Sequence, residues 1–198
     1  MFSWIKWHVL CAVKGSIYAA RSVGVKVGEG CRLYSLSFGG EPWLVSIGDR
    51  VTITGGVQFV THDGATWLLQ DGKGRRYRYA PIEIGSDVFI GTNSIILPGV
   101  RIGNRVIVGA GSVVNRSIPD NCVVAGVPAN FIRTFDEFER RGLEEFYSDA
   151  DMQGETRRER VDSIVDETML PEIPVPASAN SKATAPVFSP SIRQEEVD

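Results

Sequence analysis

The chain of 198 residues contains little cysteine and little histidine. Its three cysteines, Cys11, Cys31 and Cys122, are odd in number, lie far apart and lack the spacing of metal ligands. We therefore expect reduced thiols in a cytosolic protein. Only two histidines are present, His8 and His62, which excludes a zinc site built from three histidine ligands. The sequence predicts no bound metal.

The chain also lacks an excess of positive charge and a long hydrophobic run. Its net charge of -3 gives no electrostatic argument for nucleic acid, which needs a basic face. The apolar run 7–13 is too short to cross a bilayer, and no small-residue cleavage pattern follows it. These absences predict a cytoplasmic protein.

Residues 1–22 are predicted to form an N-terminal amphipathic helix. Its apolar residues are broadly one-sided, and they are Trp4, Trp7, Leu10, Cys11, Val13 and Tyr18. We expect this helix to cap one end of the fold, as atypical terminal units do in repeat proteins. Lys6, Lys14 and Arg21 leave open a second interpretation, a weak contact with the inner face of a membrane.

A six-residue ladder of aliphatic residues runs through the centre of the chain. It steps through Ile84, Ile90, Ile96, Ile102, Val108 and Val114. The same spacing occurs earlier at Ile47, Ile53 and Phe59, with a weaker beginning at Val27 and Leu33. Most of the residues that directly follow are Gly or Asn, which tolerate the positive φ of a turn.

This spacing indicates short strands separated by turns. Three repeats then make one triangular coil, and stacked coils pair as parallel strands about 4.8 Å apart. An α-helix is excluded, because six residues do not match its period of about 3.6. The ladder therefore predicts an all-β fold, a parallel β-helix over residues 23–133.

Two insertions interrupt the ladder. The first, residues 39–46, is predicted to be a short bulge between two strands. The second, residues 65–81, is a loop of a length that is uncommon in a compact domain and often functional.

After the ladder the pattern changes. Thr134 and Glu137 fit a capping box, which predicts a C-terminal helical segment over residues 134–169. Pro, Ala and Ser then dominate residues 170–198, and we expect this tail to be disordered.

Two stretches of the ladder resemble the hexapeptide-repeat acyltransferases. They are IGSDVFIGTNSIILPGVRIGNRVIVGAGSVVNRSIPDNCVVAGVPANFIR at residues 84–133 and IGDRVTITGGVQFVTHDG at residues 47–64. The nearest resemblance is to sugar O-acetyltransferases, including the galactoside, maltose, colanic acid and capsule acetyltransferases. This resemblance implies a left-handed coil, an exception to the usual right-handed crossover. It also implies acetyl-CoA as the co-substrate and a homotrimer with active sites between subunits.

His62 lies where the ladder breaks into the long loop. A sugar hydroxyl is a poor nucleophile, and histidine suits the removal of its proton because an unperturbed imidazole has a pKa of about 6.5. The resembling enzymes carry a histidine here in that role, so we expect His62 to be the general base. Asp63 should point to the opposite side of the strand. We therefore expect it to form a turn or contact the acceptor, and not to orient His62.

The resemblance places acetyl-CoA along the last coils. The positions carried over are Thr92, Ala110, Asn115, Arg116 and Arg133. Thr92 matches a hydroxyl contact to the cofactor, and Ala110 matches a backbone contact to the pantetheine arm. Asn115 and Arg116 match a Thr-Lys pair near the nucleotide, and Arg133 matches an arginine near the phosphates. Asn115 replaces threonine, and both residues can form hydrogen bonds. Asn130 stands where some relatives carry a basic residue, so it has no expected phosphate contact.

The long loop carries aromatic and cationic residues next to the predicted base. They are Trp67, Arg75, Arg76, Tyr77, Arg78 and Tyr79. Aromatic faces stack on sugars, and arginine pairs with carboxylate or phosphate. We expect Asp63, Trp67, Arg75 and Tyr77 to contact a saccharide acceptor, including an anionic or nucleotide-linked one. The alternative is a loop that only contacts the neighbouring subunit.

The resemblance thus implies an acetyl-CoA-dependent O-acetyltransferase acting on a saccharide or saccharide precursor of the capsule, O-antigen or exopolysaccharide type. One alternative is a serine or amino-sugar N-acetyltransferase of the same fold. The serine enzymes, however, carry a long helical N-terminal domain and more active-site histidines than the two found here. A second alternative is a non-catalytic trimeric β-helix scaffold.

Overall fold

The computed structural model describes residues 10–11, 13–35, 37–166 and 168–171. The helices are α1 (Ser16–Ser22), α2 (Phe135–Glu145) and α3 (Arg157–Asp162), with short 3-10 helices at Pro42–Leu44 and Gly64–Leu68. The strands are β1 (Lys26–Val27), β2 (Arg32–Leu33), β3 (Val45–Ile47), β4 (Thr52–Ile53), β5 (Gln58–Phe59), β6 (Gln70–Asp71), β7 (Gly74–Arg75), β8 (Ile82–Ile84), β9 (Val88–Ile90), β10 (Ile95–Ile96), β11 (Arg101–Ile102), β12 (Val106–Val108), β13 (Val113–Val114), β14 (Cys122–Ala125) and β15 (Asn130–Thr134).

Three parallel sheets form the faces of a coil. Their strand orders are β1-β3-β8-β11, β5-β10-β13 and β2-β4-β9-β12-β14. The pairs Ile84 with Ile102, Ile90 with Val108, and Ile96 with Val114 each join residues eighteen positions apart. This offset equals three six-residue repeats, so the parallel β-helix predicted from the ladder is confirmed.

The ladder residues fill the interior of the coil. Those that are buried are Ile47, Ile53, Phe59, Ile84, Ile90, Ile96, Ile102, Val108 and Val114. Ser94 and Ser112 are also fully buried, and their hydroxyls donate to the carbonyl oxygens of Gly91 at 2.8 Å and Gly109 at 2.6 Å. These bonds satisfy the hydroxyls inside an otherwise apolar core.

The glycines that follow the aliphatic positions have a different role from the predicted one. We expected positive φ at these positions, but it occurs two residues later, for example at Asp87 (59°) and Arg105 (52°). A Cβ added to Gly85 would lie 2.6 Å from the carbonyl oxygen of Gly103 in the next coil. These glycines are therefore needed for the close approach of neighbouring backbones.

Helix α1 packs against β1 and β2 at the N-terminal end of the coil. Its Ala19 and Ala20 are completely buried, and Ile17 packs against the core. The small alanine side chains let the helix approach the first coil closely, so the apolar interior is covered at this end.

The N-terminal helix differs from the one predicted over residues 1–22. Gly15, with φ of 86°, interrupts the helical segment before α1. Val13 and Tyr18 belong to the predicted apolar face, yet they are 71% and 54% exposed. Ala19, Ala20 and Ile17 are the residues of α1 that are buried or packed against the core, and none of them belongs to the predicted apolar face. Residues 1–9 of this prediction lie outside the described residues.

The C-terminal end of the coil is covered by an antiparallel strand and a helix. β15 pairs antiparallel with β14, and α2 follows directly. The hydroxyl of Thr134 accepts a hydrogen bond from the amide of Glu137 at 3.1 Å, which is one half of the predicted capping box. Arg105 of the coil pairs with Asp136 and Glu139 of α2 at 2.8 and 3.0 Å.

A second unit begins at Tyr147. It contains α3, whose first turn is closed by a complete capping box between Thr156 and Glu159. From residue 172 onward, the tail predicted to be disordered lies outside the described residues. In the described part of the chain, no helix has both the length and the apolar character needed to cross a bilayer.

Ile96→Ala should destabilise the fold by about 2–5 kcal/mol, because the fully buried side chain leaves a cavity in the ladder. The measurement is urea unfolding followed by circular dichroism. Ile96→Val is the matched control and should cost only about 0.5–1.5 kcal/mol. Equal effects of the two substitutions would contradict this description of the core.

Candidate active site

His62 lies just beyond the buried end of β5, where the chain leaves the coil. The long loop returns antiparallel beside it, with a bridge between His62 and Tyr79. The amide of Asp63 donates to the carbonyl oxygen of Arg78 at 3.0 Å, and the amide of Ala80 donates to that of Thr61 at 3.0 Å. These bonds hold the backbone of His62 between the coil and the loop.

Glu41 contacts His62 directly. One carboxylate oxygen, Oε2, lies 2.9 Å from Nδ1 of His62 and accepts a hydrogen bond from the hydroxyl of Thr61 at 2.6 Å. The side chain of Glu41 is 18% exposed, whereas that of His62 is 46% exposed. The carboxylate is therefore shielded behind an imidazole that solvent and ligands can reach.

Glu41 was not among the predicted site residues, because residues 39–46 were expected to form only a bulge. The coil offset at this point explains the contact. Ser37 bridges Gln58, twenty-one positions later, and Glu41 precedes His62 by the same number. Glu41 therefore stacks beside His62 in the neighbouring coil. This offset is a signal that could have identified it, once the length of the insertion was known.

The surroundings of Glu41 favour its ionised form. The hydrogen bond from Thr61 lowers the pKa of Glu41; burial opposes this effect, and the hydrogen bond and charge of His62 add to it. An ionised carboxylate accepts hydrogen bonds only, so Nδ1 of His62 carries the proton that faces it. In the neutral ring, the lone pair of Nε2 is then available to a ligand.

A cavity of about 340 Å³ lies beside His62. Its walls are formed by Val60, His62, Asp63, Gly64, Arg78, Leu97, Pro98 and Asn115. Its charged side chains are Asp63 and Arg78, whose Oδ2 and Nη1 atoms lie 3.9 Å apart. The cavity thus combines an imidazole, a weakly paired guanidinium, an amide and apolar walls.

Asn115 and Arg116 are the predicted acetyl-CoA residues that lie nearest to this cavity. Asn115 follows β13 and lines the His62 cavity. It also lines a neighbouring cavity of about 220 Å³, whose wall includes Arg116. The two cavities therefore share Asn115.

The other predicted acetyl-CoA residues lie elsewhere in the chain. Thr92 and Ala110 follow β9 and β12, at a different corner of the coil from His62. The carbonyl oxygen of Thr92 accepts from the amide of Gly111 at 2.7 Å, so these turns stack on each other. Arg133 lies on β15 and lines a third cavity, of about 380 Å³, together with residues of α2. The single chain does not bring these residues to His62.

Among the predicted acceptor residues, Asp63 lines the His62 cavity, and Trp67, Arg75 and Tyr77 are not part of its wall. The carboxylate of Asp63 accepts from the amide of Ala65 at 2.9 Å, which caps the following 3-10 helix. In the described part of the chain, the Asp63 carboxylate bonds to Ala65 and lies near Arg78, with no hydrogen bond to His62.

The long loop folds into a hairpin of β6 and β7 outside the coil. The guanidinium of Arg75 lies between two aromatic rings, 4.7 Å from the centre of Trp67 and 4.8 Å from that of Tyr77. These contacts give the hairpin a defined shape. Within the described residues, no group of three or more His, Cys, Asp or Glu side chains is arranged to hold a metal ion.

Known proteins share both the repeat and much of the sequence. Residues 81–116 match the family described as bacterial transferase hexapeptide (six repeats). The chain is 50% identical to Protein CapG of Staphylococcus aureus over 127 residues, which cover 63% of this chain and 74% of CapG. The chain belongs to the hexapeptide-repeat acyltransferase family, and its coil is a left-handed parallel β-helix of the all-β class.

Two further relatives match shorter segments. Galactoside O-acetyltransferase of Escherichia coli K12 is 38% identical over 97 residues, which cover 49% of this chain and 47% of that enzyme. WbbJ of the same organism is described as a putative O-acetyl transferase of lipopolysaccharide biosynthesis. It is 49% identical over 61 residues, which cover 31% of this chain and 31% of WbbJ. The matched region thus spans about half of the first protein and about a third of the second.

Thr61→Val should raise the pKa of Glu41, because it removes the hydroxyl that donates to the carboxylate while keeping the side-chain shape. The folded-state pKa of Glu41 is lowered, so its ionisation stabilises the fold at neutral pH, and this stabilisation is lost as the pH falls through the folded-state pKa. The variant should therefore be less stable than wild type by about 1–2 kcal/mol at neutral pH, and the difference should shrink in acid.

A carbon-detected NMR titration measures the pKa of Glu41. Urea unfolding at neutral pH and at acidic pH measures the difference in stability. Thr52→Val replaces another buried threonine and is the control, since Thr52 bonds to Arg32 and not to Glu41. A pKa of Glu41 that is the same in wild type and Thr61→Val would contradict the assigned hydrogen bond.

Proposed function

We propose that the chain is an acetyl-CoA-dependent O-acetyltransferase acting on a saccharide or saccharide precursor of the capsule, O-antigen or exopolysaccharide type. The observation that carries this proposal is the 2.9 Å contact between His62 and Glu41 at the wall of a cavity. An imidazole oriented by a carboxylate suits proton removal from a hydroxyl. The names of the galactoside enzyme and WbbJ support a sugar-containing acceptor and transfer to oxygen.

His62 is the general base of the proposed reaction. Its Nδ1–H donates to Glu41, and Nε2 accepts the proton of the acceptor hydroxyl as that oxygen attacks the carbonyl carbon of the acetyl group. The carbon–sulfur bond then breaks, and Nε2 returns the proton to the departing thiolate. The products are an acetyl ester and the free thiol of CoA, and no acyl-enzyme is required.

Glu41 is a positioning residue for this reaction. Its carboxylate fixes the ring orientation of His62 and stabilises the imidazolium that forms during proton transfer, as a buried carboxylate does in other histidine-based sites. Thr61 in turn holds Glu41 through a hydrogen bond of 2.6 Å. The order of contact from the core to the substrate is therefore Thr61, Glu41 and His62.

Asn115 and Arg116 are the proposed contacts that extend acetyl-CoA away from His62. Asn115 lines both the His62 cavity and the neighbouring cavity that contains Arg116. The amide can hydrogen-bond to the pantetheine arm, and the guanidinium can pair with a phosphate.

Thr92, Ala110 and Arg133 are proposed to act across a subunit interface. They do not lie at the corner of the coil that holds His62. In a homotrimer with active sites between subunits, the neighbouring subunit can supply these contacts to an extended molecule of acetyl-CoA. This arrangement accounts for the separation of the predicted residues within one chain.

Asp63, Trp67, Arg75 and Tyr77 are the proposed acceptor contacts. Asp63 lies in the cavity, where it can accept a hydrogen bond from a sugar hydroxyl. Trp67 lies on the 3-10 helix that precedes the hairpin, and Arg75 and Tyr77 lie on the segment that returns from the hairpin to His62. The acceptor would therefore extend from the cavity over the hairpin.

His62→Ala should lower kcat for acetyl transfer by about 10²-fold or more, because the general base is lost. Release of the CoA thiol is measured with sugars, amino-sugar nucleotides and serine as acceptors. His8→Ala replaces the only other histidine of the chain and should retain activity. A wild-type protein that binds no acetyl-CoA and releases no thiol with any acceptor would instead support the scaffold.

Glu41→Gln should lower kcat by about 10-fold or more, since it removes the charge that stabilises the imidazolium. KM should change little, because Glu41 does not line the cavity beside His62. Glu29→Gln changes an exposed carboxylate paired with Arg21 and is the control. A fall in kcat that is accompanied by an equal rise in KM and by a loss of stability would assign Glu41 a purely structural role.

A further inference from the structure

Residues 75–79 lead from the hairpin back to His62, and their side chains point alternately to the two sides of this segment. Arg75, Tyr77 and Tyr79 share one side, as alternate residues of an extended segment do. On the other side, Arg76 forms an ion pair with Asp71. The bridge between Tyr79 and His62 places the end of this row beside the proposed base.

The side chains of this row follow one another from His62 outward. The ring centre of Tyr79 lies 5.8 Å from that of His62. Tyr77 comes next, with its ring centre 6.3 Å from that of Tyr79 and the two planes within 10° of parallel. The Arg75 guanidinium, 4.8 Å above Tyr77, and Trp67 complete the series. We call Trp67, Arg75, Tyr77 and Tyr79 the aromatic track.

The aromatic track is exposed although it consists mainly of large rings. Trp67, Tyr77 and Tyr79 are each more than half exposed. A group of exposed aromatic side chains on one face is typical of a binding surface. Among the described residues, Arg75 has no carboxylate partner, so its N–H groups remain available beside the ring faces.

This combination matches the chemistry of a sugar chain. A pyranose presents an apolar C–H face, which stacks on an aromatic ring, and hydroxyls at its edge, which accept hydrogen bonds from a guanidinium. The planes of Tyr77 and Tyr79 are within 10° of parallel with their ring centres 6.3 Å apart, whereas the His62 ring is tilted by 56° to that of Tyr79. A nucleotide-linked monosaccharide would have no further sugar units to place along the hairpin.

We propose that the aromatic track binds consecutive units of a linear glycan while another unit of the same glycan reacts in the His62 cavity. The acceptor class is then an oligosaccharide or polysaccharide, and not a free or nucleotide-linked monosaccharide. This inference rests on the proposed acetyl-transfer function.

The kinetic test compares monosaccharides with their linear hexamers. The probes are galactose, N-acetylglucosamine and galacturonic acid, each paired with its own hexasaccharide. In the series that is accepted, kcat/KM should be about 10-fold or more higher for the hexamer. Tyr77→Ala should lower this ratio towards one. Tyr34→Ala is the matched control, because Tyr34 is as exposed as Tyr77 (67% and 63%) but lies on the coil.

A binding measurement separates this inference from the proposed function. Isothermal titration without acetyl-CoA should show hexamer binding to wild type and to Tyr34→Ala, and weaker binding to Tyr77→Ala. Such a result supports the aromatic track even if no thiol is released, an outcome that would reject only acetyl transfer. Equal affinities for hexamers and monosaccharides in all three series would overturn the inference. So would a Tyr77→Ala variant that loses its oligomeric state in sedimentation while its hexamer affinity is unchanged.

Discussion

Hydrogen bonds between neighbouring coils position every part of the β-helix. The amides of Gly48, Gly85 and Gly103 donate to carbonyl oxygens one coil away, at 2.8–2.9 Å. At these three glycines an added Cβ would lie 2.6–2.7 Å from backbone atoms of the neighbouring coil, so the close approach there requires glycine. An exposed side chain therefore has a location set by its position within the repeat and by its coil. Both His62 and Glu41 obtain their geometry in this way.

The coil could be predicted from the sequence, because the apolar character of the ladder residues and their six-residue spacing can both be read from it. The aliphatic residues at intervals of six are the buried ones, and their pairing follows from the same interval. The role of the glycines was predicted incorrectly, and two residues of the predicted helix face, Val13 and Tyr18, are exposed. Both depend on how closely two backbones approach, as at Gly85 and Ala20. Residue type alone does not show that distance.

The candidate site was only partly predictable for a related reason. His62 adjoins a break in the ladder, and a histidine at such a place is visible in the sequence. Its partner Glu41 lies in the preceding coil, and the insertion there changes the offset from eighteen to twenty-one residues. Asn115 is at the same corner as His62 because both follow strands of one sheet, whereas Thr92 follows a strand of another. Only the completed coil reveals these groupings.

The closure of the long insertion has a consequence for how such proteins can diverge. The carbonyl oxygen of Thr61 and the amide of Ala80 are joined by a hydrogen bond of 3.0 Å, so the chain leaves and re-enters the coil at nearly the same point. Strand pairing then continues on both sides, with Phe59 beside Ile96 and Ile47 beside Ile84. Replacing the hairpin by a longer, shorter or chemically different one leaves the register of the coil intact. If the hairpin contacts the acceptor as proposed, exchange of this one surface segment would change the acceptor preference without cost to the core that carries His62.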